Sequence, residues 1–158
     1  MTESVLKGKK ILAVDDEPDV LAVLEEEILG ACPGCTIDKA TSYEGAMALL
    51  KSKEYDMVVL DIMGVRGFEL LEMAVSRKFK VAMLTAHALN AEALKKSHDL
   101  GAGVYLPKEK LAEIVPFLED LLKYEHTPGW KRLLKKLENY FDERFEEDWK
   151  KKTGITYW

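Results

Sequence analysis

Two rhythms of apolar residues alternate along the chain. Short unbroken runs, Ile11-Leu12-Ala13-Val14 and Met57-Val58-Val59-Leu60, have the character of strands buried on both faces, as in a parallel sheet covered by helices. Between them the spacing turns helical: Val20, Leu21, Val23, Leu24 and Ile28 share a stripe, with Glu25, Glu26 and Glu27 toward water. Pro18 suits the first turn of that helix, which ends near Gly30. Residues 36–40 read as a strand, and Thr41 or Ser42 caps a helix carrying Ala46, Met47, Leu49 and Leu50. After the run 57–61 come Gly64-Val65-Arg66-Gly67 and a helix bearing Phe68, Leu70, Leu71 and Ala74. Residues 80–85 form a fourth strand, 90–100 a helix closed by Gly101, and 103–106 a short fifth strand. Residues 110–124 are helical in composition, with Pro116 either kinking the helix or opening its main body. Five strand–helix alternations predict an α/β fold, a doubly wound five-stranded parallel sheet with right-handed crossovers.

The last stretch follows a helical pattern of its own. Thr127-Pro128 reads as a cap followed by proline, and Trp130, Leu133, Leu134, Leu137, Phe141 and Phe145 fall on one face. The spacing predicts a single amphipathic helix from about residue 128 to 152, roughly 37 Å long and ended by Gly154. The chain thus divides into a domain at 1–124 and a helical extension at 125–158. Five stripes already compete for the two sheet faces, so the sixth is expected to be covered by a second copy, making a homodimer through the C-terminal helix. Packing of the stripe back onto its own domain is the plainer alternative.

Composition narrows the function. At 158 residues, 47% of them apolar, the chain can bury a core without metal or disulfide staples. No apolar run approaches the roughly 18 residues of a membrane span, and Met1-Thr2-Glu3-Ser4 does not open a signal peptide, so a cytoplasmic location is expected. A net charge of −5 argues against a general nucleic-acid binder. The extension carries mixed charge, unlike the cationic face of a membrane-surface helix. Cys32-Pro33-Gly34-Cys35 has the spacing of a redox couple or half a zinc site, but no second pair completes it; a Pro-Gly turn with free thiols is the better reading. His87, His98 and His126 show no metal-ligand spacing, although His87 stands two residues beyond Thr85 and could reach over a pocket there.

The candidate chemistry sits where apolar runs end. The first strand delivers Asp15-Asp16-Glu17 and the third delivers Asp61 to the carboxyl edge of the sheet, where ligands bind in open parallel folds. Carboxylates gathered there repel unless a cation joins them, and a hard divalent ion, Mg²⁺ by preference, answers that need. Taken singly, each residue has a bland reading: the acids as a helix-start pair, Thr85 as a cap, Lys108 as a surface lysine, Tyr105 as a half-buried strand aromatic.

Taken together, Asp15-Asp16, Asp61, Thr85 and Lys108, each ending an apolar run in this order, resemble the receiver domain of two-component response regulators, of the stand-alone chemotaxis type, over roughly residues 9–124. The resemblance implies a flavodoxin-like fold. It further implies a phosphoacceptor rather than an enzyme, taking a phosphoryl group on Asp61 from a histidine kinase or phosphotransfer protein. On that pattern Asp15, Asp16, Asp61 and the carbonyl of Met63 hold Mg²⁺, Lys108 and Thr85 contact the phosphoryl oxygens, and Tyr105 acts as a switch. Output would pass through protein contact, without nucleic acid or membrane insertion. Two features depart from the family pattern. The segment 64–67 is about two residues shorter than usual, and Pro107 precedes Lys108 where the family places proline after the lysine. They frame the alternative of a pseudo-receiver, the same fold serving as a phosphorylation-independent interaction module. A haloacid-dehalogenase-type phosphohydrolase would want a second acid at position 63, where Met stands.

Overall fold

The computed structural model describes residues 4–86 and 89–156, so His87 lies outside the described residues. Five parallel strands form one sheet: β1 (Lys10–Val14), β2 (Thr36–Ala40), β3 (Met57–Asp61), β4 (Lys80–Thr85) and β5 (Val104–Pro107), in the order β2-β1-β3-β4-β5. The helices α1 (Pro18–Ala31), α2 (Tyr43–Ser52), α3 (Gly67–Ser76), α4 (Ala91–Asp99) and α5 (Ile114–Lys123) connect and cover the strands. The central strand β3 is buried at every position, as its unbroken apolar run requires, whereas the edge strand β2 is partly open and mixes Asp38 and Lys39 into its pattern. The strand order reverses between β1 and β3, which opens a crevice at the carboxyl ends of these two neighbours.

Local signals behave as their chemistry dictates. Pro18 opens α1, and Ser42 rather than Thr41 caps α2, its hydroxyl accepting from the Gly45 N–H at 3.1 Å. Pro116 does not kink a helix. A 3₁₀ segment (Lys108–Glu113) comes first and α5 begins at Ile114, so the proline falls in the first turn, where its missing N–H donor breaks no intrahelical hydrogen bond. Cys32 and Cys35 are buried free thiols around a turn, and the Cys35 thiol donates to the Leu6 carbonyl at 2.9 Å. Burial pushes the Cys35 thiol up to about 12, which makes it inert as a nucleophile.

The extension departs from the single helix expected of it. It forms α6 (His126–Arg144), breaks at Phe145 and ends in the short α7 (Trp149–Thr153). The helix begins before Thr127, so Pro128 is accommodated within the first turn rather than directly after a cap. Phe145 takes an extended conformation (φ −95°, ψ 166°), and the chain turns back so that α7 packs on α4. With α7 folded back, Trp149 and Ile155 are 2% and 7% exposed.

The apolar stripe is likewise covered without a second copy. Trp130, Leu133, Leu134, Leu137 and Phe141 are all buried within the chain itself. The missing space lay beyond the edge of the sheet: α6 lies against β5 and α5 rather than on a sheet face. That also explains why β5, an edge strand, is buried along its whole length. The stripe therefore gives no reason for a homodimer. Polar contacts fix the docking. The Trp130 indole N–H donates to the Ala102 carbonyl at 2.7 Å, and Lys136 and Arg132 reach Asp120 of α5 at 2.8 and 3.2 Å. His98 and His126 serve as packing residues at the α4–α6 crossing, with ring centroids 4.9 Å apart.

Candidate functional site

Four neighbouring strands deliver polar groups to one edge. β1 runs into Asp15, whose backbone N–H is held by the Ala40 carbonyl at 3.1 Å, and β3 ends on Asp61. β4 ends on Thr85, paired with Pro107 of β5, and Lys108 follows directly. Asp15, Asp61 and Thr85 are buried, whereas Asp16 stands exposed at the rim. The five residues singled out in the sequence thus converge on one crevice.

Lys108 enters it despite the altered order of proline. Its ammonium lies 2.9 Å from Asp15 Oδ2, 3.4 Å from Asp61 Oδ1 and 3.2 Å from Glu17 Oε1. Among the described residues no peptide bond is cis, so Lys108 reaches the acids from an all-trans chain. Asp15 Oδ1 accepts the Glu17 N–H at 2.9 Å. Its Oδ2 meets the lysine as an ion pair, off the angles of a hydrogen bond. Glu17 was not among the expected site residues; only its place at the end of the Asp-Asp-Glu run hinted at this third contact.

The short segment after Asp61 is tightly wound. Gly64 (φ +86°) and Arg66 (φ +55°) both adopt left-handed conformations, and the Gly67 N–H closes the turn on the Ile62 carbonyl at 3.0 Å. A Cβ at Gly67 would collide with the Asp61 carbonyl, and one at Gly64 would press on the Asp16 carboxylate. Both glycines therefore allow the chain to pass directly beside the acids. The Met63 side chain is 52% exposed and plays no part in the crevice, which leaves only its backbone carbonyl as a possible ligand.

Burial and mutual charge both act against ionisation of these acids. Burial, reinforced by the nearby charge of Asp15 and opposed by Lys108, pushes Asp61 up to about 7. Asp15 is raised as well, by burial above all. Burial alone would pull Lys108 down, but the carboxylates of Asp15 and Asp61 outweigh it and hold the ammonium above its ordinary value. Asp15, Asp16 and Asp61 each offer a carboxylate oxygen within 4.8 Å of the others. An all-oxygen set of this size suits a hard divalent cation such as Mg²⁺, which would relieve the repulsion that burial imposes.

Tyr105 lies wholly inside. Its hydroxyl accepts the Asn90 N–H at 3.2 Å and points back to the Asn90 carbonyl at 3.4 Å. The ring is covered by Phe141 of α6, with centroids 6.0 Å apart, a contact that no local pattern locates.

Known proteins place this arrangement. Residues 11–118 match the family described as the response regulator receiver domain. The transcriptional regulatory protein TcrA of Mycobacterium tuberculosis is 34% identical over 107 residues, 65% of this chain and 41% of TcrA. The chain spans less than half the length of the curated relatives it matches. Among solved structures, the response regulator TrrA of Thermotoga maritima, determined in complex with Mg²⁺-BeF, is 33% identical with a TM-score of 0.61. That match covers 72% of this chain and 99% of TrrA. A CheY-like receiver domain protein from Methanospirillum hungatei, 24% identical with a TM-score of 0.57, covers 85% of this chain and 94% of that one and shows the common fold. With the sheet order, the acidic crevice and the lysine behind it all in agreement, the chain belongs to the response regulator receiver domain family, carrying extra helices after the receiver fold.

Proposed function

We propose that this chain is a phosphoacceptor whose Asp61 takes a phosphoryl group from the phosphohistidine of a histidine kinase or phosphotransfer protein. The observation that carries the reading is the convergence of Lys108 on Asp15 and Asp61 beside a third carboxylate, a charge pattern suited to Mg²⁺ and a phosphoryl group together. An Asp61 carboxylate oxygen forms the new P–O bond as the P–N bond to the imidazole breaks, and the imidazole nitrogen keeps the electron pair. Asp15, Asp16, Asp61 and the Met63 carbonyl would hold Mg²⁺, which neutralises the approaching charges when bound. Lys108 would turn from Asp61 toward the transferred oxygens as a compact point charge, and the Thr85 hydroxyl would donate to another of them. Residues 1–124 form the receiver and 125–158 an extension that belongs to its packed unit, with output through protein contact.

Intact mass after incubation with Mg²⁺ and acetyl phosphate tests the reading. One added phosphoryl group is expected in Mg²⁺ and none in excess chelator; labelling that ignores the chelator would count against the site. The metal has its own check. Asp16→Ala should weaken Mg²⁺ binding by roughly tenfold or more, the loss expected on removing one carboxylate from a weak oxygen site, whereas Cys32→Ser with Cys35→Ser should leave it unchanged. Titration calorimetry of the metal alone separates the two.

A further inference from the structure

The start of α4 at Asn90 and the 3₁₀ segment after β5 are both tied to α6, the first through Tyr105. The chain leaves the crevice at the buried Thr85 and is anchored again at Asn90. There the Tyr105 hydroxyl engages both the N–H and the carbonyl, while the Asn90 side chain caps α4 by accepting the Ala93 N–H at 2.8 Å. Tyr105 belongs to an edge strand, and an uncovered tyrosine there would find water for its hydroxyl by turning outward. Phe141 closes that route. It lies over Tyr105 and is backed by Phe145, stacked at 4.7 Å and 13°, and by Trp149, edge-on at 5.5 Å. On the other side, Glu109 directly follows the pocket lysine and pairs with Arg144 at 3.3 Å, and the Lys110 ammonium stands 5.3 Å from the Tyr140 ring centre.

We propose that Phe141, although outside the receiver fold, is a positioning residue of the Asp61 site: it holds Tyr105 against Asn90 and so fixes the start of α4 and the end of β5, which carries Lys108, for an anion on Asp61. The inference rests on the phosphoacceptor reading. Restraint of this kind lowers the ordering cost of binding, and by linkage the packing of Phe141 on Tyr105 and occupancy of the site by a phosphoryl group favour one another.

The test uses the full chain with two readouts: hydrogen exchange at the Asn90 amide, and calorimetric binding of beryllofluoride in saturating Mg²⁺. Phe141→Ala should speed Asn90 exchange and weaken beryllofluoride binding by about tenfold, a usual size for coupling between sites, with the affinity for Mg²⁺ alone unchanged. Phe141→Leu should recover most of both. Leu133→Ala is the control, because Leu133 is also buried on α6 but lines a cavity with Phe117 and Leu121 whose lining does not include Tyr105. It should disturb neither readout. Unaltered beryllofluoride affinity in Phe141→Ala, or an equal loss in Leu133→Ala, overturns the inference while leaving the phosphoacceptor reading intact. A wild type that binds no beryllofluoride is a different failure, which overturns that reading and the inference with it.

Discussion

Replacing Trp130 with Ala is expected to remove about 3–5 kcal/mol of stability, the usual cost of emptying a large buried aromatic site. Trp130 is fully buried where α6 crosses α4, edge-on to His98 with ring centroids 5.0 Å apart. Its loss would leave a cavity and also strip the Ala102 carbonyl of the indole N–H, in a place that water enters only with the helix displaced. Urea unfolding of wild type and variant at one pH gives the difference. A loss below about 1 kcal/mol, the size typical of surface changes, would mean that the extension does not dock as described.

Asp61→Asn should act in the opposite direction on the metal-free protein. In the folded chain Asp61 is pushed up to about 7 from an ordinary 3.8. Between those values the folded state holds a proton that the unfolded state has released, so this group lowers stability as pH rises from about 4 to 7 and keeps it low above that. Asn removes the penalty. At pH 8 in chelator the variant should be more stable by on the order of 2 kcal/mol, a figure below the full shift because water and Lys108 relax around the carboxylate. At pH 4 the two proteins should be nearly alike. Asp38, Asp99 and Asp120 are held below the ordinary carboxylate range by their partners and give stability that is lost as pH falls. The informative quantity is therefore the difference between wild type and variant, not either curve alone. Equal stability at pH 8 would show that burial does not penalise the Asp61 carboxylate as described.

Much of this molecule was written locally. Strands β1, β3 and β4 carry unbroken apolar runs, and each ends on or directly before a residue of the crevice, so period and end position together locate Asp15, Asp61 and Thr85. The order of Pro107 and Lys108 raised a doubt about the lysine that local pattern could not answer. Lys108 reaches Asp15 all the same, because the 3₁₀ segment begins on it and turns its side chain to the acids. What stayed illegible was tertiary. The stripe of α6 read equally well as a face for a second copy or for its own domain, because periodicity reports that a face is apolar and not what covers it. The break at Phe145 carries no glycine or proline signal; it follows from the packing of Phe145 and Trp149 against Phe141. Tyr105 read as a half-buried strand aromatic, and only the position of α6 explains its full burial.

The central claim, that Asp61 is the phosphoacceptor, is tested most directly by intact mass of wild type and Asp61→Asn after matched incubation with Mg²⁺ and acetyl phosphate. One phosphoryl group on the wild type and none on the variant is the predicted result. The same labelling on both would place the modification elsewhere, and no labelling of a folded, Mg²⁺-binding wild type would contradict the account.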